Sequence, residues 1–136
     1  MTTAKYAYTK DLGKLEFDEA ERRVVSALKE QGFGVLTEID VTATLKTKID
    51  VDFGRRYKIL GACNPKLAHR SLGSELLIGL LMPCNVVLFE EDDGRVAVAI
   101  GKPREMFKVV DNDALMSVAD EVDGKLQKLL EGLEAG

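Results

Sequence analysis

The chain has little of what the common catalytic signatures require. Its 136 residues contain one histidine, His69, and two cysteines, Cys63 and Cys84. A single histidine cannot build a multi-histidine metal centre, and a site combining it with both cysteines would still lack a further ligand from an obvious neighbour. No metal site is expected, and two cysteines do not make a disulfide framework. The phosphate-binding loop, the dinucleotide fingerprint, the Gly-x-Ser-x-Gly elbow and the Cys-x-x-Cys pair are all missing. Repeats, low-complexity tracts and Pro/Gly/Ser-rich linkers are missing too, so residues 1–136 read as a single domain. The longest apolar run, Leu76 to Met82, is too short to cross a bilayer, and the polar stretch from Met1 to Lys10 lacks the apolar centre of a signal peptide. A cytoplasmic protein without a membrane partner is expected.

Charge of either sign is balanced. Twenty-three acidic and 19 basic residues give a net charge of -4, with no basic stripe, so nucleic acid is not an expected partner. What is present is the balance of a folded domain: 46% hydrophobic and 31% charged residues support a packed interior under a solvated surface.

Along the chain, Lys5 to Thr9 reads as a first strand with Tyr6 and Tyr8 on one face. Phe17, Ala20, Val24, Ala27 and Leu28 form a helical stripe that stops at Gly32. Phe33 to Ile39 is β-branched and aromatic and reads as a strand. Val41 to Phe53 fits either period: residues 41, 43, 45, 49, 51 and 53 alternate, while Val41, Leu45 and Ile49 also fall at helical spacing with Asp40 as a possible cap. Tyr57 to Cys63 reads as a strand that yields to a helix at Asn64-Pro65, with Gly73 as its expected stop and a short helical stretch before Pro83. Asp92-Asp93-Gly94 between Asn85–Glu90 and Arg95–Ile100 is a hairpin signal, and the near-continuous apolar flanks place both strands near the sheet centre. Pro103 to Phe107 reads as a helical turn, and Leu115, Val118, Val122, Leu126, Leu129 and Leu133 line a long terminal helix.

Two groups of residues could carry chemistry. Cys63 lies just before a helix N-terminus, where free N–H groups and the helix dipole favour a thiolate, and Cys84 sits at the corresponding junction after Pro83. The same pair also reads as two small buried hydrophobes. Asn64 and Asn85 each follow a cysteine; one suits a helix cap and the other a strand entry. The second group is basic, Lys46, Lys48, Arg55, Arg56 and Lys58 around Gly54, and could hold a phosphate or carboxylate. Interleaved Asp50 and Asp52 make a solvated face with ordinary salt bridges the competing reading. His69 reads as a surface helix residue.

The segments Gly32-Phe33-Gly34-Val35-Leu36, Tyr57-Lys58-Ile59-Leu60-Gly61-Ala62-Cys63-Asn64-Pro65 and Leu80-Leu81-Met82-Pro83-Cys84-Asn85, taken together and in order, resemble the family catalogued as domain of unknown function 302. That resemblance implies an α+β fold in the order β-α-β-α-β-α-β-β-α, with a curved antiparallel sheet and helices packed on one side, similar to a half-repeat of the TATA-box-binding saddle. It also favours helix for 41–50 and implies a homodimer. Likeness to a DNA-binding saddle does not transfer DNA binding to an acidic chain.

Three functions follow as expectations. The first is a homodimer that binds a small ligand or anion near the Cys63 and Cys84 junctions, with Asn64, Asn85, Lys48 and Arg56 as binding residues. The second is a thiol-based redox or sulfur-carrier enzyme with Cys63 attacking and Cys84 resolving. The third is a structural protein-interaction module. No cofactor is named by any motif.

Overall fold

The computed structural model describes residues 2–133. The strands are β1 (Ala7–Asp11), β2 (Gly34–Asp40), β3 (Tyr57–Cys63), β4 (Cys84–Glu90) and β5 (Val96–Gly101). The helices are α1 (Phe17–Glu30), α2 (Val41–Ile49), α3 (Pro65–Ser74), α4 (Pro103–Phe107) and α5 (Asp113–Gly132). The strands form one antiparallel sheet in the order β1-β5-β4-β3-β2, open at both edges. The hairpin strands β4 and β5 are interior, as their apolar composition implies. Among the described residues no helix is long and apolar enough to cross a membrane.

Local signals explain most boundaries. In α1, Phe17, Ala20, Val24 and Leu28 are buried on one stripe, and the helix closes on Gly32 at φ +84°, with Phe33 N–H donating to the Leu28 carbonyl at 2.9 Å. That glycine conformation would strain any side chain. Asp40 caps α2 by accepting from Ala43 N–H at 3.0 Å, and the ambiguous segment is helix over Val41–Ile49, ending at a left-handed Asp50, with residues 51–53 in neither helix nor strand. Asn64 caps α3, accepting from Leu67 N–H at 3.2 Å with Pro65 in the first turn. The β4–β5 turn carries Gly94 at φ +84°, as a short hairpin with a left-handed residue requires.

One sheet face carries the core. Leu60, Ala62, Val86, Leu88, Val98 and Ile100 pack with Val24 and Leu28 of α1, Leu67 of α3, and Val118, Val122 and Leu126 of α5. Burying such side chains contributes roughly 1.5–3 kcal/mol each before conformational entropy is subtracted. A smaller cluster joins Ile78, Phe107, Leu115 and Ala119. At the far edge, Lys10 Nζ donates to the carbonyls of Leu130 and Leu133 at 2.6 and 2.7 Å, and Tyr8 Oη donates to the Asp123 carboxylate at 2.9 Å. Tyr8 thereby fastens β1 to the middle of α5 and Lys10 to its end.

Two expectations need correction. Strand β1 begins at Ala7 rather than Lys5, because Ala7 N–H closes a turn on the Ala4 carbonyl. That turn separates the two tyrosines: Tyr8 reaches α5, whereas Tyr6 is exposed. Gly73 does not stop α3, which runs on to Ser74 and ends where Glu75 turns extended at φ -150°.

Candidate ligand-binding groove

The second face of the sheet is not covered by the main helices. Directly opposed residues in an antiparallel sheet project to the same side, so the register defines its floor. One row runs Ile39, Ile59, Val87, Ala99, Thr9, and the next runs Tyr57, Phe89, Ala97, Asp11. Strand β5 alternates large and small: Val96, Val98 and Ile100 enter the core, while Ala97, Ala99 and Gly101 face the other way. Ala97 is buried, and the small side leaves a trough at Ala99 and Gly101.

That trough is the floor of a groove of about 790 Å³. One wall is aromatic: Tyr57 stacks on Phe89 with ring centroids 5.9 Å apart, and Phe53 meets Tyr57 edge-on at 5.9 Å. The opposite end is closed by Leu80, Leu81, Pro83 and Met106, and residues Thr2, Thr3 and Tyr6 form a rim. Gly61 and Gly101 permit that closure. A Cβ on Gly61 would meet Thr37 Oγ1 and come within 2.7 Å of Pro83 Cγ, and one on Gly101 would meet Met106 Sδ.

Arg55 is the one charged side chain among the described residues that line the groove. Its Nη1 donates to the Glu90 carbonyl at 2.9 Å and its Nη2 pairs with Asp92. Thr42 of α2 sets the backbone there: its hydroxyl donates to the Arg55 carbonyl at 2.7 Å and accepts from Tyr57 N–H at 2.9 Å. The consequence is an alternation in which Phe53, Arg55 and Tyr57 line the groove. Arg56 lies on the other side, with its guanidinium 4.3 Å from the centroid of Phe17 and 3.1 Å from Asp18.

The cysteines meet elsewhere on the same strands. Cys84 lies opposite Ala62 in the sheet and packs against the core. Cys63 ends β3, and both line a cleft of about 30 Å³ with Asn64 and Pro83, a space suited to a single water. Both thiols are free and half-buried. Burial, with a smaller contribution from Cys63, pushes the Cys84 thiol up to about 11, so it is protonated at neutral pH. Cys84 and Asn85 also border the large groove.

The structure therefore gathers Cys63, Asn64 and Cys84 at the small cleft, and Cys84 and Asn85 at the groove. Lys48 stands exposed on α2, and Arg56 precedes β3 at the end opposite Cys63, so neither joins the cysteines. Within the basic segment Lys46 pairs with Asp50 at 2.9 Å, and Lys58 with Glu21 at 2.9 Å and Glu38 at 3.0 Å. His69 is exposed on α3. Sequence reasoning missed Phe53, Tyr57 and Phe89 as a group and named Arg56 where Arg55 faces the groove. Two signals could have found them: the alternation through 53, 55 and 57, and the large-small alternation of β5.

Residues 8–133 match the family model described as domain of unknown function DUF302. A crystal structure of an uncharacterized conserved protein DUF302 from Bacillus stearothermophilus is similar at a TM-score of 0.87 and 32% identity, covering 96% of this chain and 100% of that one. None of the curated proteins matches.

Proposed function

The chain belongs to the family described as domain of unknown function DUF302, and we propose that it is a small-ligand-binding protein that works as a homodimer. One observation carries the ligand reading: a groove of about 790 Å³ over the trough of Ala99 and Gly101, with a wall of stacked aromatic rings. Small-molecule sites are concave spaces of roughly 300–1,000 Å³, mostly apolar with a few placed polar groups, and here Arg55, Asn85 and Thr9 supply those groups. Native mass spectrometry of the purified protein tests it. A retained small molecule in the wild type, lost in an Ala99→Phe variant that still folds, supports the reading. A ligand-free wild type that takes up no compound from a metabolite library overturns it.

The dimer reading rests on a single turn. Leu76, Leu77 and Leu80 are 80%, 69% and 83% exposed while Ile78 between them is buried. Adjacent bare leucines are an apolar patch that a two-fold contact would cover from both sides. Light scattering is expected to give twice the chain mass, falling to one chain mass in Leu77→Glu/Leu80→Glu. A monomeric wild type at micromolar concentration refutes the assembly.

A thiol reading keeps one observation in its favour, that Cys63 and Cys84 line one cleft. In it Cys63 is the attacking group and Cys84 the protonated partner. The pH dependence of Cys63 alkylation decides: a midpoint at the ordinary thiol value or above removes this reading.

A further inference from the structure

Resting on the groove as a ligand site, we infer that its ligand is a flat, largely apolar molecule ending in a single carboxylate, with the apolar body over Val87 and Ala99 and the carboxylate at Arg55. The body follows from the surfaces. Val87, Ala99 and Thr9 stand opposite one another across β4, β5 and β1, a floor with no bulky side chain in its centre. The stacked pair Tyr57 and Phe89 rises beside it. Aromatic faces favour a planar partner in offset or edge contact.

The carboxylate follows from charge. Among the described lining residues Arg55 alone is ionic, and it emerges between Phe53 and Tyr57, at the edge of the aromatic wall. Two of its N–H groups are engaged, one by the Glu90 carbonyl and one by Asp92. A guanidinium has five N–H donors in a planar fork, so others are open to an incoming oxygen pair. Asp92 is 91% exposed on the hairpin turn, and an exposed ion pair is worth little in water. A carboxylate delivered from an apolar body, partly shielded from solvent, competes with it. The neighbouring acids are turned to other donors: Glu90 Oε1 accepts from Arg56 N–H at 2.6 Å, and Glu91 accepts from Thr2 N–H at 3.1 Å.

The geometry also fixes which change separates charge from shape. Arg55→Gln removes the cation, Arg55→Lys keeps it without the fork, Asp92→Asn frees it from its competitor, and Ala99→Phe fills the trough. The chain has no tryptophan, so the fluorescence of a naphthyl probe reports binding directly. We would titrate the full-length protein with 2-naphthoate and with the neutral 2-naphthylmethanol, checking the fold of each variant by circular dichroism.

The wild type is expected to bind the acid at least tenfold more tightly than the alcohol. Arg55→Gln should bring the acid down to the affinity of the alcohol, Arg55→Lys should keep most of the preference, and Asp92→Asn should strengthen acid binding alone. Ala99→Phe should weaken both by tenfold or more. Equal affinity of acid and alcohol in the wild type, or an acid preference that survives Arg55→Gln, overturns the carboxylate assignment and leaves the groove as a site. Binding of both probes that Ala99→Phe does not change, or no binding of either, overturns the groove itself.

Discussion

Thr42 and Tyr57 are joined across the α2–β3 junction by a 2.9 Å hydrogen bond from the Tyr57 amide to the threonine hydroxyl, which in turn donates to the Arg55 carbonyl at 2.7 Å. A helix that shares little of the core thereby determines how β3 begins. It decides that Arg55 faces the groove and Arg56 faces Phe17.

Replacing Thr42 by Val removes both bonds while keeping the shape of the side chain. Two partly buried backbone groups lose their partner, so a loss of about 1–3 kcal/mol is expected in urea unfolding. The same variant should weaken any ligand that binds in the groove, because the 53–57 segment is no longer held. Unchanged stability would mean that water replaces the hydroxyl at no cost.

Gly61 and Gly101 should respond differently to a methyl group. At Gly61 the added carbon meets Thr37, its cross-strand partner, and the ring of Pro83, neither of which can move far. Gly61→Ala is expected to cost about 1–3 kcal/mol by overpacking. At Gly101 the obstacle is the thioether of Met106, a flexible chain that adapts, so Gly101→Ala should cost under about 1 kcal/mol. Thermal unfolding of the two variants side by side checks the ranking.

Lys10 supplies donors to two carbonyls at the end of α5, where the helix dipole also favours a cation. Lys10→Met keeps much of the apolar stem and removes the ammonium. It should cost about 1.5–3 kcal/mol, the range for hydrogen bonds to a charged group, and should speed hydrogen exchange in the last turn of α5 and in β1. Exchange unaltered in β1 would show that the strand is held by other contacts.

Cys84 gives a pH dependence of definite sign. Its thiol titrates at about 11 in the folded chain against 9.0 as the ordinary value. Between these values the folded state holds a proton that the unfolded chain has released, so stability falls as pH rises. The contribution is complete below pH 9 and is lost as the pH climbs to about 11. Cys84→Ala should flatten that part of the stability profile and leave the neutral region with only a packing loss. A profile in the variant that declines as steeply as the wild type would assign the effect to other groups.

Much of the architecture was legible because it is written locally. The caps Asn64 and Asp40, the left-handed Gly32 and Gly94, and the apolar stripe of α5 each act within a few residues of their own position. The groove was not, for a reason visible in β5. Its six residues, Val96 to Gly101, are all uncharged, and read as a continuous apolar run they place the strand in the interior of the sheet. Only the sizes of alternate side chains reveal that one face is packed and the other hollow at Ala99 and Gly101. Arg55 and Arg56 posed the same problem of parity, which depends on how a distant threonine fixes the strand entry. Cys63 and Cys84 were placed at their junctions, but the protonated state of Cys84 comes from burial against residues far along the chain.

The fastening of β1 by Lys10 and Tyr8 matters beyond its own energy. That five-residue strand is what shields the outer hydrogen-bonding edge of β5, and β5 is a short uncharged segment without proline, of the type that stacks into cross-β fibrils when its edge is bare. Fraying of the last turn of α5 therefore acts at a distance, releasing the Lys10 half of that latch and converting a loose helix end into a weakened guard over a site of aggregation.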